Sequence, residues 1–228
     1  MGISGGPDMI QNGLVLALDA TDRNSYVSGS TTWLDISGNA NNGTLVSGST
    51  FNSANGGSIV FEGTSSYAEV ANNTSLNSTT GTLSLWFNYT SAPGNGSVII
   101  GKTNTPSSFN GYNIFIFQGT IAGQIKGSTS LIVTNLTGSA VSTNTWYNFS
   151  LSYSSGNTYT TYLNGTALGS GSLVSFNMST QPLRMARSLD AYWTYFAGSI
   201  SAVRLYNREL SATEIQQNYE AQKSRFGL

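Results

Sequence analysis

The stretch Tyr192-Trp193-Thr194-Tyr195 sets three aromatic rings within four residues, just after Arg187-Ser188-Leu189-Asp190. Flat aromatic faces stack on sugar rings, and neighbouring Asp, Asn or Arg side chains then bond the hydroxyls. The same rings suit a contact between subunits, because interfaces are enriched in Tyr and Trp. They also suit plain packing within the chain. Phe109 and Tyr112 flank a second loop of the same kind. All five are candidate ligand-binding or interface residues. A different group is rich in oxygen: Asp19, Asp22, Asp35, Asn39 and Asn41 lie in two nearby loops. Ca²⁺ takes about six to eight oxygen ligands from carboxylates, amides and carbonyls. Asp35 is the first metal-ligand candidate and Asp19 the second. The competing reading is that these side chains bond their own backbone in Asx turns.

Catalysis has little to work with. Glycoside hydrolysis needs two carboxylates flanking the scissile bond. No Glu-x-Asp-x-x-Glu string occurs, and Glu62 and Glu69 stand seven apart with a turn between them. The chain has no His and no Cys. That removes the Ser-His-Asp triad, the Cys-His dyad, disulfides and thiolate metal cages. A non-enzymatic role is expected. Nine basic and ten acidic residues, net −1, leave no basic stripe to neutralise phosphates, so nucleic acid is not an expected partner. No run approaches the roughly 18 apolar residues of a membrane helix, so membrane insertion is not expected. The opening Met1-Gly-Ile-Ser-Gly-Gly-Pro7 lacks the charged and apolar regions of a secretory signal.

Gly, Ser, Thr and Asn make up about half of the 228 residues, yet 39% are hydrophobic and 26 are aromatic. Such a chain can bury a core, and its polar half suits turns and outward strand faces. Residues 1–12 read as a flexible arm. Leu14–Leu18 is a short apolar run, read as a buried strand. Leu83, Leu85, Phe87 and Tyr89 alternate along one strand face, and Tyr147, Phe149, Leu151 and Tyr153 along another. Further strands are predicted at Ser58–Glu62, Tyr67–Val70, Ser97–Gly101, Tyr112–Phe117, Thr158–Leu163, Leu183–Ala186 and Gly198–Tyr206, with a hairpin over Gly119–Lys126 and Ser130–Thr134. Asn164-Gly165 is the strongest turn signal. Ser211-Ala-Thr-Glu214 has the spacing of a capping box, so a helix starts there and runs to about Lys223. The tail Lys223–Leu228 reads as an anchoring peptide or a frayed helix end. About a dozen short strands and one terminal helix predict an all-β, antiparallel two-sheet jelly-roll sandwich over 13–208, with 209–228 as capping helix and tail. Trp33, Trp86 and Trp146 are predicted core residues.

Several segments in order resemble the laminin-G-like, concanavalin A-like jelly rolls. They are Trp33-x-Asp35-x-Ser-Gly-Asn-x-Asn-x-Gly43, Gly56–Gly63 followed by Tyr67, Leu83–Phe87, Trp146-Tyr147, Tyr162–Gly165, Phe196–Ile200 and Arg204–Ile215. The opening Asn12–Asp19 and the ending Glu214–Leu228 resemble the version of this module in tailed-bacteriophage virion proteins. The resemblance implies a non-enzymatic virion-surface protein, a head decoration or fibre component. Its partners would be other virion proteins and copies of itself. It would be made in the host cytoplasm without a signal peptide. The alternative is an adhesion module that binds cell-surface glycan, with Ca²⁺ as a possible cofactor. One departure is Gly63-Thr-Ser-Ser66, which lacks the acidic residues that relatives often carry before the Tyr.

Overall fold

A computed structural model describes residues 7–91, 96–103, 110–126, 133–173, 175–189 and 193–228. Among the described residues there are sixteen strands. They are β1 (Leu14–Asp19), β2 (Thr32–Trp33), β3 (Gly43–Val46), β4 (Thr50–Asn52), β5 (Ser58–Glu62), β6 (Tyr67–Val70), β7 (Thr80–Tyr89), β8 (Ser97–Thr103), β9 (Gly111–Phe117), β10 (Thr120–Lys126), β11 (Val133–Ala140), β12 (Trp146–Ser154), β13 (Thr158–Leu163), β14 (Thr166–Ser172), β15 (Leu183–Met185) and β16 (Ala197–Tyr206). The helix α1 spans Ala212–Glu220. The first sheet runs β14-β13-β12-β7-β16-β5-β4. There β5 pairs with Ala197–Ile200 of β16, and β1 takes over along Ala202–Tyr206. The second sheet runs β11-β10-β9-β8-β15-β6-β3-β2. All these strand pairs are antiparallel. This is the expected two-sheet sandwich.

The core lies between the sheets. Leu83, Leu85, Phe87 and Tyr89 of β7 and Phe149, Leu151 and Tyr153 of β12 face Tyr112, Ile114 and Ile116 of β9 and Ile121 and Ile125 of β10 in one buried cluster. Each such aliphatic or Phe side chain contributes about 1.5–3 kcal/mol on leaving water. The expected alternation therefore does set the inward face. Thr166–Ser172, by contrast, is a small polar segment that forms an edge strand the sequence reading left out.

Trp86 is buried as expected, but on the opposite side of the first sheet. Its parity is that of Thr82 and Ser84, away from Leu85 and Phe87. The C-terminal segment covers it. Ser211 caps α1: its hydroxyl accepts from Glu214 N at 3.2 Å, while Ser211 N donates to Glu214 Oε2 at 2.9 Å. The helix ends three residues before the expected Lys223, and a 3₁₀ turn over Lys223–Phe226 follows. That turn sets Phe226 against Trp86 (centroids 4.1 Å) and Trp146 (4.7 Å). Tyr219 stacks on the same Trp86 at 5.6 Å. The tail is thus a docked strap rather than a frayed end. The predicted N-terminal arm is tied down from Asp8 onward. Asp8 O accepts from Gln217, Ile10 N donates to Asn218 Oδ1, and Tyr206 donates to Ile10 O.

Candidate functional site

The outer face of the second sheet carries a row of polar side chains that run straight across the strands. Thr44 of β3 pairs with Glu69 of β6, Glu69 with Arg184 of β15, Arg184 with Gly101 of β8, Gly101 with Asn113 of β9, and Asn113 with Gln124 of β10. Their neighbours along each strand, such as Ala68, Leu183, Met185 and Ile114, point into the core. The pleat therefore turns every member of this row outward. Arg184 Nε donates to Glu69 Oε2 at 3.1 Å. Gly101 has no side chain for a reason: a Cβ there would stand 2.0 Å from Asn113 Oδ1. Asn113 leans into that gap. Its Oδ1 and Arg184 Nη1 are buried and have no hydrogen-bond partner. They line a crevice with Pro182, Arg187, Ser188 and Leu189 that is too narrow to hold a water molecule. Buried polar atoms are nearly always paired, so this pair marks the row as incomplete.

An aromatic shelf lies beside the row. Phe115 follows Asn113 on the outward face of β9, and Trp193 packs on it with centroids 4.4 Å apart. Tyr67 precedes Glu69 in the same way on β6. Arg187 lies over the Tyr67 ring at 4.8 Å and the Tyr195 ring at 5.6 Å. Backbone bonds fix the segment that supplies Trp193 and Tyr195. Thr194 donates from N and Oγ1 to Gly96 O, at 3.1 and 2.8 Å, and Phe196 N donates to Ala186 O at 3.0 Å. Trp193 and Tyr195, both half-buried, are therefore joined by Arg187, which the sequence sets just before them, and by Tyr67 and Phe115, which the sequence reading missed. Tyr192 and Phe109 lie outside the described residues. Tyr112 is corrected: it is fully buried in the core, its ring tilted against Tyr153 at 5.9 Å, and cannot meet a ligand or a neighbour. Its hydroxyl has no hydrogen-bond partner, and burial raises it well above its ordinary value.

The two metal candidates are also corrected, because their oxygens are already spent. Asp35 Oδ1 accepts from Ala17 N (2.8 Å) and Ser37 N (2.9 Å), and Oδ2 from Ser37 Oγ (2.8 Å) and Asn41 N (2.9 Å). It staples its loop to β1, which is the Asx-turn reading. Asp19 sits between two guanidiniums, with Arg204 at 2.9 Å and Arg225 at 3.2 Å. Burial alone would raise its carboxyl, but those two charges hold it below the ordinary value. A cation would have to displace both arginines. Among the described residues no group of three or more His, Cys, Asp or Glu is placed to hold a metal. Glu62 bonds its own turn, accepting from Ser65 N (2.6 Å) and Ser66 N (2.8 Å). Burial works against ionisation there, yet these bonds bring its carboxyl down to about 2.

The sequence matches the family model described as concanavalin A-like lectin/glucanases superfamily over residues 62–216, about two thirds of the chain. No curated protein matches it by sequence. Several solved structures share its fold. The binding domain of Paraclostridial Mosquitocidal Protein 1 superposes with a TM-score of 0.74 at 18% identity, over 92% of this chain and 52% of that one. The ligand binding domain of botulinum neurotoxin serotype D, solved in complex with N-acetylneuraminic acid, gives 0.75 at 15% identity, over 93% and 52%. Domain 4 of AbnA, an extracellular GH43 arabinanase from Geobacillus stearothermophilus, solved with arabinotriose, gives 0.69 at 17%, over 90% and 98%. The chain therefore spans about half of the toxin binding domains and nearly all of the arabinanase domain.

Proposed function

The chain belongs to the concanavalin A-like lectin/glucanases superfamily, and from that premise we propose that it is a non-catalytic carbohydrate-binding module. Its site would be the outer face of the second sheet. The observation that carries this reading is the polar row Thr44–Glu69–Arg184–Asn113–Gln124 abutting the shelf of Tyr67, Phe115, Trp193 and Tyr195. Carbohydrate needs both halves. The shelf takes the apolar face of a pyranose or furanose, and the row exchanges hydrogen bonds with its hydroxyls. Two neighbours solved with sugars support the same class of ligand. Support for a non-catalytic role is that Glu69, the carboxylate of this row, is held by Arg184.

The proposal extends to the setting. The resemblance of Asn12–Asp19 and Glu214–Leu228 to tailed-phage virion proteins supports display on a particle surface. There the module would contact other virion proteins or its own copies. Detection of the chain on purified particles tests that part. The binding part is tested by a glycan array on the folded protein, with free-sugar competition. Binding that free sugar abolishes, and that Trp193→Ala removes at unchanged Tm, is the expected result. A blank array with folded protein, or full binding by Trp193→Ala, overturns it.

A further inference from the structure

We propose that the sugar read by this face carries a carboxylate, and that Arg187 is the residue that reads it; this rests on the carbohydrate reading above. Among the residues whose side chains are described, the face holds two cations, Arg184 and Arg187, and one anion, Glu69. Glu69 is engaged by Arg184 Nε, and Arg184 still keeps a buried Nη1 without a partner. Among the described residues Arg187 has no ion-pair partner, and its guanidinium meets only the Tyr67 and Tyr195 rings, at 4.8 and 5.6 Å. Aromatic contacts cover and orient the flat face of a guanidinium while leaving its N–H edge free. That edge matches a carboxylate with two parallel hydrogen bonds. Arg187 is half-buried, so it is both restrained and reachable. A neutral sugar could use the shelf and the row equally well, but it would leave the extra positive charge of the face unanswered. A uronic or a nonulosonic acid supplies the missing charge next to hydroxyls that the row can bond.

The test compares matched ligands on the full chain by titration calorimetry. One pair is an oligosaccharide ending in a uronic acid and its carboxyl-reduced counterpart; the other is sialyllactose and lactose. At least about tenfold tighter binding of the acidic member of one pair is expected, and which pair shows it identifies the source of the carboxylate. Arg187→Gln should bring the acidic ligand down to the level of its neutral partner, whereas Arg187→Lys should recover only part of the gap. Should Arg187→Gln fail to fold, the salt response of the wild-type protein decides. Binding of the acidic ligand should weaken several-fold between low and high salt, as a partly exposed ion pair is screened, while binding of the neutral one holds. Equal affinity within both pairs overturns the charge inference and leaves the carbohydrate reading standing. No binding in any arm overturns both.

Discussion

Lys102 offers the sharpest test of how charge is tolerated inside this sandwich. Its side chain is fully buried, and Nζ donates to Asn72 Oδ1 at 2.7 Å and Gln181 O at 2.6 Å. Neither partner carries a formal charge. Burial therefore brings the ammonium down to about 8 from the ordinary 10.5. At about 1.4 kcal/mol per unit, the folded state bears a penalty of about 3 kcal/mol at neutral pH. The sign follows from proton counts. Between pH 8 and 10.5 the unfolded chain holds a proton on this lysine that the folded chain has released, so stability rises with pH in that window. The full penalty is present below about pH 8 and fades toward 10.5. Integration gives a gain of about 2 kcal/mol between pH 7 and 9.5. Buried tyrosines such as Tyr112 and Tyr153 act in the opposite direction near pH 10, because burial raises them in the folded state only. Comparison with Lys102→Met cancels that term. Urea unfolding of both proteins across pH 7 to 9.5 is the assay. The stability of Lys102→Met relative to wild type should fall by about 2 kcal/mol as pH rises. A difference that stays flat across the range would refute the argument, whatever its absolute size.

The docked strap and the corrected aromatic each give a further expectation. Phe226→Ala should cost about 3 kcal/mol, the low end for loss of a buried Phe, and should shift Trp emission to the red as Trp86 and Trp146 meet water; unchanged emission would mean the strap does not cover them. Tyr112→Phe removes a buried hydroxyl that has no partner, so the unfolding free energy from denaturant titration should hold or rise by up to about 1 kcal/mol and sugar binding should not change. A loss of binding in Tyr112→Phe would return that residue to the ligand site.

Much of the fold was legible because the period-2 pattern of β7 and β12 is strong and continuous. The same rule, pressed further, corrects Tyr112 and assigns Trp86, which is buried, to the other side of its sheet. Tyr112 shares parity with Ile114 and Ile116, so it must point inward with them. Trp86 has the opposite parity to Leu85 and Phe87, so it must point out. What covers Trp86 was not legible, since Phe226 lies 140 residues further on. The short polar strand Thr166–Ser172 escaped notice because an edge strand with one wet face needs no apolar pattern. Asp35 and Asp19 show the limit of reading ligands from composition: oxygen-rich loops supply metal sites and turn staples with the same residues, and only partners tell them apart.

The candidate site was half legible for a deeper reason. Trp193 and Tyr195 stood out because they are neighbours in sequence. Thr44, Glu69, Arg184, Asn113 and Gln124 come from five different strands, and no two of them stand closer than eleven residues in the sequence. Register alone aligns them, and register is a property of the folded sheet. Net charge misleads in the same way. The chain as a whole is −1, which argues against anionic partners if charge is spread evenly. It is not: Asp19, Glu62 and Glu214 are each held in their own local clusters elsewhere, while the described part of the second sheet's outer face sets two arginines against one carboxylate. A weakly acidic protein can thus present a locally positive face, and the ligand responds to the face.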